Sequence, residues 1–248
     1  MQTLIQKDFY QIRRNRILAL SFLAVLLLGI FSAKSYTLDI KSGAGAIGIF
    51  DAMVFDSTFV VILATLIASS LLGSEFKNRT VNHALYSGYT RTDIFLSKVI
   101  TYLIVYNLLI LVFPLAGCLR MIPTLGLGTT ATEGMLHILK IIFYSIVLNS
   151  AMYSACLLIA FLCRDVAKTL ALSTVYILSF ALLMAYGKPA GLFDRVKILD
   201  AIPLIEIRYV VTENPAPRDL LLVALGALVL FACLTFLANA VFKRADLV

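Results

Sequence analysis

The side chains of this chain that could do chemistry are concentrated in one charged interval, residues 75–98, which lies between two apolar runs of membrane length. Thr80 can cap a short helix over residues 81–87, and Gly88 can end that helix because glycine adopts the left-handed conformation at little steric cost. A Thr-x-x-Asp capping box at residues 90–93 then begins a new helix before the chain returns to apolar sequence. The interval is therefore predicted to form a separate helix that docks a partner.

Residue patterns for catalysis or metal binding are missing from the sequence. There is no Gly-x-x-x-x-Gly-Lys-Ser/Thr run, so the chain has no phosphate-binding loop and is not expected to be an ATPase. His83 and His137 lack a second metal ligand at a recognised spacing. The four cysteines are scattered in or beside apolar runs, where a free cysteine behaves as a small apolar residue. We expect no enzyme activity, no metal and no bound cofactor, so energy for any work must come from a partner.

Composition places the chain in a membrane. Hydrophobic residues make up 61% of it and charged residues 14%, and its mean hydropathy is +0.96, which leaves too little polar surface to cover a soluble fold. A helix needs about 20 apolar residues to cross a bilayer. Six segments approach that length: residues 17–33, 53–73, 99–118, 138–162, 169–186 and 220–242. The sequence predicts a single all-α integral membrane domain over residues 1–248, and an even number of spans places both termini on one side.

The distribution of basic residues predicts which side that is. More than half of the 21 Lys and Arg residues lie in the segments on the side of the termini, and Arg13, Arg14 and Arg16 form a compact cluster before the first span. Cytoplasmic segments carry the excess of Lys and Arg, so both termini are predicted to be cytoplasmic. Anionic lipid accounts for the net charge of +7 without a nucleic-acid partner.

Residues 1–16 are predicted to form an interfacial elbow helix. Four apolar side chains fall on one arc of a helical wheel: Leu4, Ile5, Phe9 and Ile12. Asp8 falls inside the same arc and departs from the pattern. An ordinary solvated basic tail is the alternative structure for this segment.

The segments predicted on the outer side are short and leave no room for an outer domain. Residues 34–52 contain three glycines and are expected to form a flexible loop. A Thr130-x-x-Glu133 capping box precedes the fourth span, so that helix should begin outside the membrane. Residues 190–203 are predicted to form a short amphipathic helix that ends at Pro203. Its apolar side chains lie at helical spacing: Leu192, Phe193, Val196 and Leu199.

Polar residues inside the spans are the candidates for a substrate pathway. Asp56 is the only acid within an apolar run, but it lies near the outer end, where Asp56 and Ser57 could instead cap the second helix. Asn149 and Tyr153 in the fourth span and Ser173 in the fifth could also line a pathway. Such residues commonly bond neighbouring helices together, so packing is the alternative function for them.

At the charged interval the sequence resembles the permease subunits of ABC-2 type ABC transporters. The residues that carry the resemblance are Glu75, Arg79-Thr80, Ser87-Gly88, Arg91 and Lys98. In that family this interval is the coupling helix that contacts the ATPase, and the spans follow in a similar order over essentially the whole chain. The resemblance implies a type V exporter-like architecture with a coupling segment at residues 75–98. It also implies the side chains that contact the ATPase or hold the coupling element: Glu75, Arg79, Thr80, Val81, Leu85 and Arg91.

The same resemblance implies what such a chain works with. Two copies of an ABC ATPase would bind ATP and magnesium, and the permease would pair with itself or with a related permease in a bacterial plasma membrane. The mostly apolar spans favour amphipathic or lipophilic cargo, and small permeases of this family export antimicrobial peptides or drugs or give immunity to them. Short helices between the fifth and sixth spans, here residues 190–203, would cap the exit as an outer gate.

Other functions remain open from the sequence. A membrane scaffold or sensor could dock an ATPase through the same interval without moving cargo, and an exporter of lipid-linked or ionic cargo would share the same spans. A secondary carrier would instead show inverted repeats or helices broken by Gly or Pro at mid-membrane. The prolines of this chain lie mostly in outer loops, with Pro114 as the exception.

Overall fold

The computed structural model describes residues 2–38, 45–78, 80–187, 202–212 and 215–244, and every regular element in these ranges is helical. In chain order the α-helices are α1 (Gln2–Arg13), α2 (Arg16–Ser32), α3 (Gly45–Phe55), α4 (Thr58–Lys77), α5 (Thr80–Tyr86), α6 (Arg91–Leu125), α7 (Ala131–Cys163), α8 (Val166–Gly187), α9 (Pro203–Thr212) and α10 (Pro217–Arg244), with a 3-10 helix at Ser35–Leu38. Six of them, α2, α4, α6, α7, α8 and α10, are long and apolar enough to cross a membrane. The structure therefore confirms the predicted all-α membrane fold.

The first turns of α6 and α7 are capped as predicted. The Thr90 hydroxyl oxygen accepts a hydrogen bond from the backbone N–H of Asp93 at 3.1 Å, and that of Thr130 accepts one from Glu133 at 3.4 Å. Each hydroxyl also donates to the carboxylate of its partner, at 2.6 and 2.8 Å. Gly88 follows α5 with a φ of +85°, and the N–H groups of residues 88 and 89 return to carbonyls of the last turn in a Schellman motif. Gly88 and Thr90 thus separate the short helix from the next span.

The start of α5 differs from the prediction. Thr80 is the first residue of the helix rather than its cap, and its hydroxyl donates to the backbone carbonyl of Glu75 at 3.0 Å. Thr80 therefore does not occupy the predicted cap position, and its hydroxyl bonds instead to the last turn of α4. The hydroxyl thereby joins two helices.

From residue 45 onward, the first outer segment is helical and is not the flexible loop that its glycines predict. α3 packs against α6, and Phe50 and Met53 have no exposed surface. Gly45 adopts a φ of +58° and lies so close to the backbone of Gly128 that a Cβ atom would overlap with it. Glycine permits this close approach beneath the loop that follows α6. The glycine that predicted a flexible loop therefore allows tight packing instead.

A second short helix, α9, lies in the segment between the last two spans. Pro203 occupies its first position, where the missing N–H and the fixed φ of proline fit the first turn of a helix. The proline that was predicted to end one helix therefore begins another. α9 packs against α3 and α7. The predicted amphipathic helix at residues 190–203 lies outside the described residues except for its last two positions. The same holds for all four side chains predicted to form an outer gate: Leu192, Phe193, Val196 and Leu199.

α6 is the centre of the bundle. It is 35 residues long and contacts α1, α2, α3, α4, α5, α7 and α10. α4 also packs closely against α8, and α7 packs closely against α10. The spans α2, α8 and α10 lie at the perimeter with most of their surface exposed, as expected for helices that face lipid. Movement of α4 or α7 relative to α6 would therefore carry a perimeter helix with it.

The two ends of the described chain lie at the same end of this bundle. α1 contacts α6 at Ser97 and Lys98. Arg91, at the start of α6, donates from its guanidinium to the backbone carbonyl of Lys243 in the last turn of α10 at 2.8 Å. α5 packs between α4 and α6 at this end. We call this region, formed by α1, α5, the start of α6 and the last turn of α10, the coupling end.

We expect Gly29→Ala to disturb the packing of α2 on α6. A Cβ atom at Gly29 would lie 2.5 Å from the backbone carbonyl oxygen of Phe113 and 3.1 Å from Ala116, so the two helices would have to separate. Overpacking of this kind costs roughly 1–3 kcal/mol. The measurement is the thermal unfolding temperature of the purified protein in detergent. Gly226→Ala on α10 is the matched control, since nothing lies within 4 Å of the added Cβ. Equal unfolding temperatures for the two variants would contradict the close contact.

Candidate functional site

Three charged side chains from three helices meet inside the coupling end. The Lys98 ammonium on α6 lies 2.7 Å from Asp8 Oδ1 on α1 and forms a second ion pair with Glu75 Oε2 on α4. All three residues are buried, with exposed fractions of 2 to 8%. Taking a charge out of water is costly unless the charge is paired, so each of these groups depends on its partners.

Hydroxyl groups complete the arrangement. Ser97 donates to Asp8 Oδ2 at 2.6 Å, and Tyr102 donates to Glu75 Oε1 at 2.5 Å. The Thr80 hydroxyl, which bonds to the Glu75 carbonyl, also lies 3.4 Å from Glu75 Oε2. Through these bonds α1, α4, α5 and α6 are held together. We call this set the charged network: Asp8, Glu75, Thr80, Ser97, Lys98 and Tyr102.

Helix periodicity explains how the sequence assembles the charged network. Lys98 and Tyr102 are four residues apart and lie on one face of α6. Asp8 lies on the buried face of α1 beside Leu4, which explains why an acid interrupts the apolar arc of this helix. Sequence reasoning singled out Glu75 and Lys98 but missed Asp8. One acid in the apolar arc of an otherwise basic helix is the signal that could have found it.

Aromatic packing and Arg91 fasten two more helices to the coupling end. The Phe161 ring on α7 contacts those of Phe76, Phe95 and Phe242, with ring centroids 4.9 to 5.5 Å apart. The Arg91 guanidinium donates to backbone carbonyls in the last turn of α10. No backbone N–H of the same helix can donate to carbonyls at this position, so Arg91 supplies the missing donor. Arg91, predicted to belong to the ATPase contact, therefore joins the start of α6 to the end of α10.

α5 presents one face to the protein and another outward. Val81 is buried and Leu85 is half-buried, whereas His83 is exposed and Tyr86 is 80% exposed. Val81 thus anchors α5, and the outward surface belongs to His83 and Tyr86, which were not among the predicted coupling residues. Arg79, which was, lies outside the described residues.

The predicted pathway residues fall in separate places. Tyr153 and Ser173 are fully buried in the interior of the bundle, on α7 and α8. Asn149 is buried as well, but its side chain donates to Ser145 of the same helix at 3.0 Å. Asp56 is exposed at the turn between α3 and α4, at the end of the bundle opposite the coupling end. The structure therefore does not bring Asp56 to the other three.

The turn around Asp56 is held by α9. Ser57 makes no side-chain capping bond, so the predicted cap of the second span is wrong at this residue. The Arg208 guanidinium instead donates to the backbone carbonyl of Phe55 at 3.2 Å and lies near the Thr58 hydroxyl at 3.3 Å. Partial burial lowers the pKa of Arg208, and the carboxylate of Asp56 opposes this shift. Asp56 thus contributes to a contact between α9 and the α3–α4 turn.

A further contact between helices lies at the same end. His137 Nε2 on α7 is 2.9 and 3.0 Å from the two carboxylate oxygens of Asp51 on α3. These side chains and Glu133 line a shallow pocket. The described part of the chain contains no group of three or more His, Cys, Asp and Glu side chains that could hold a metal ion. The contact between His137 and Asp51 joins α7 to α3.

Six apolar spans, with the short helix α5 bound to a buried charged network at one end of the bundle, define a multi-pass membrane protein. Residues 4–180 match the sequence model of a family described as ABC-2 family transporter protein. The match covers most of the chain, so the chain belongs to this family, as its resemblance predicted. It is the permease subunit of an ABC transporter, and the family implies a separate ABC ATPase as its partner. A search of curated proteins finds no match.

Lys98→Met should destabilise the protein strongly. Asp8 and Glu75 would remain buried without the ammonium group that compensates them. Removing one partner of a buried ion pair typically costs roughly 3–5 kcal/mol. The measurement is the thermal unfolding temperature of the permease in lipid nanodiscs.

Lys77→Met is the matched control, because Lys77 is exposed in the last turn of α4. The triple variant Asp8→Asn, Glu75→Gln, Lys98→Met should recover part of the loss, since all three charges are removed together. A Lys98→Met protein as stable as Lys77→Met would contradict the charged network.

Proposed function

We propose that this permease works in an ATP-driven exporter that moves amphipathic or lipophilic cargo, such as peptides or drugs, out of the cell or out of the membrane. The observation that carries the proposal is the charged network, which connects the docking helix α5 to α4 and α6 through Thr80 and Glu75. A push on α5 from a partner protein would reach both spans at once. A permease whose ATP is hydrolysed by another subunit requires such a connection.

The mechanism we propose is alternating access. ATP binding would draw two ATPase subunits together and press on the outward face of α5. Because Glu75 bonds to α5 on one side and to Lys98 and Tyr102 on the other, the pressure would tilt α4 and α6. α8 would follow α4, against which it packs. The outward-open state would release cargo, and hydrolysis would restore the inward-open state.

Orientation and assembly complete the proposal. Exposed basic side chains crowd the α1–α2 junction, and the only acid of the first sixteen residues, Asp8, is buried. The positive-inside rule then favours a cytoplasmic coupling end and cytoplasmic termini. Two copies of the permease would provide twelve spans above two ATPase subunits, which bind ATP and magnesium, in a bacterial plasma membrane.

The distribution of buried charge supports the class of cargo. Among the described residues, the charged side chains that are buried are Asp8, Glu75 and Lys98, all at the coupling end. A route for a hydrated ion would need several convergent polar or charged ligands along its length. The rest of the interior offers apolar surface with scattered hydroxyl and aromatic groups, which suits an amphipathic molecule better.

ATP hydrolysis by the permease reconstituted in lipid with the ATPase encoded beside it tests the proposal. The rate is measured with and without a panel of amphipathic peptides, together with uptake of each peptide into inverted vesicles. We expect hydrolysis that depends on the permease and changes with at least one peptide that is also taken up. A rate that the permease leaves unchanged would refute the coupling, and coupled hydrolysis without uptake of any peptide would favour a scaffold or sensor.

Tyr86→Ala should weaken binding of the ATPase, because Tyr86 is the largest exposed side chain of α5 and aromatic residues often dominate the energy of an interface. We expect a loss of affinity of about tenfold or more. The measurement is the dissociation constant of the ATPase for permease nanodiscs.

Tyr186→Ala is the matched control, since Tyr186 is similarly exposed but lies at the opposite end of the bundle. If Tyr86→Ala binds the ATPase as well as Tyr186→Ala does, the outward face of α5 is not the docking surface.

A further inference from the structure

Four buried hydroxyl groups, one each from α4, α6, α7 and α8, meet in the interior of the bundle. We call them the hydroxyl cluster: Ser69, Tyr106, Tyr153 and Ser173. Each residue is at most 1% exposed. None of the four hydroxyl groups makes a hydrogen bond of normal geometry among the described residues, although Thr65 lies near Tyr106, Ser69 near Tyr153 and Cys156 near Ser173. Buried hydroxyls are normally paired within a fold, so four unpaired groups in one region require an explanation.

The geometry places the hydroxyl cluster between two pairs of helices. The rings of Tyr106 and Tyr153 stack across the α6–α7 interface, with centroids 4.3 Å apart and planes 18° apart. Tyr153 lies beside Ser69 of α4. Cys156, one turn further along α7, lies beside both tyrosines and Ser173 of α8. The cluster therefore sits where the α4–α8 pair meets α6 and α7.

The chemistry of the hydroxyl cluster selects an uncharged ligand. A hydroxyl group both donates and accepts hydrogen bonds, so four of them can pair with amides, alcohols or water. The charged side chains that are buried among the described residues all lie at the coupling end. Tyr102, one turn from Tyr106 on α6, already donates to Glu75 and marks the boundary between the two regions.

We propose that the hydroxyl cluster is a binding site on the transport route for an uncharged hydrogen-bonding group of the cargo, such as an amide or an alcohol. The stacked rings of Tyr106 and Tyr153 form the wall of the site on the side of α6 and α7. The site opens when α4 and α8 tilt away from α6 and α7 while the charged network stays intact. This inference rests on the proposed exporter function and adds to it the place and the chemistry of cargo contact.

Tyr106→Phe and Tyr153→Phe test the contact with cargo. Each change removes a hydroxyl that makes no hydrogen bond of normal geometry in the protein, so the unfolding temperature should stay the same or rise while stimulation of ATP hydrolysis by cargo falls. Tyr102→Phe is the matched contrast one turn away, because it loses a hydrogen bond to Glu75 and should lower the unfolding temperature. Full stimulation in both the Tyr106→Phe and Tyr153→Phe proteins would overturn the proposal.

The native thiol of Cys156 reports whether the site opens. In a protein with Cys118→Ala, Cys163→Ala and Cys233→Ala, the complex with the ATPase is treated with hydroxyethyl methanethiosulfonate, a small uncharged reagent that modifies thiols exposed to water. Cys156 is 1% exposed in this conformation. We expect modification about tenfold or more faster with ATP than without nucleotide, because ATP would shift the population toward the open state.

A charged reagent and a second cysteine sharpen this experiment. ATP should accelerate the modification of Cys156 much less with the cationic reagent trimethylammonioethyl methanethiosulfonate, because no carboxylate belongs to the hydroxyl cluster. A protein that keeps only Cys163, which is partly exposed at the last residue of α7, is the control and should gain much less from ATP than Cys156 does.

The outcomes separate this inference from the exporter function, because ATP hydrolysis is measured in the same samples. Hydrolysis without any change at Cys156 would overturn the site and leave the exporter function standing. Equal acceleration of both reagents would overturn its preference for uncharged groups. A complex that hydrolyses no ATP would overturn the exporter function, and the site with it.

Discussion

One ammonium group inside an apolar bundle fixes the arrangement of the coupling end. Lys98 can be buried only because Asp8 and Glu75 reach it from α1 and α4. Each carboxylate is held in turn by a hydroxyl group, and Thr80 extends the set to α5. These buried groups have no water to replace a lost partner, so the helices that carry them cannot change their spacing independently. The short helix α5 is therefore attached to the spans beside it.

The two polar sets inside the bundle differ in a way that suits the proposed movement. In the charged network every charged group has a partner, whereas the hydroxyl groups of the hydroxyl cluster make no hydrogen bond of normal geometry among the described residues. Tyr102 and Tyr106, one turn apart on α6, belong to different sets. Separating helices costs least where few bonds join them. Movement that begins at the coupling end would be transmitted by the charged network and would open the bundle at the hydroxyl cluster.

Local signals in the sequence are sufficient to predict the helices and many of their ends. The caps at Thr90 and Thr130 and the glycine at Gly88 act within a few residues, so each can be found by reading a single stretch. Contacts between distant residues could not be found in this way. Asp8 and Lys98 are 90 positions apart. The packing of α3 was missed for the same reason, because its glycines meet a loop that lies far along the chain.

Arg91 adds a second connection from the coupling end into the bundle. Its guanidinium holds the last turn of α10, and Phe161 and Phe242 pack α7 and α10 together at the same level. Pressure on α5 would thus reach α4 through the charged network, while α7 and α10 are held to the start of α6 by Arg91 and the phenylalanine rings. The two sides of the hydroxyl cluster are therefore fastened to each other at the coupling end, α4 to α6 through the charged network and α4 to α7 through Phe76 and Phe161. They can separate at the cluster while both sets of bonds stay intact.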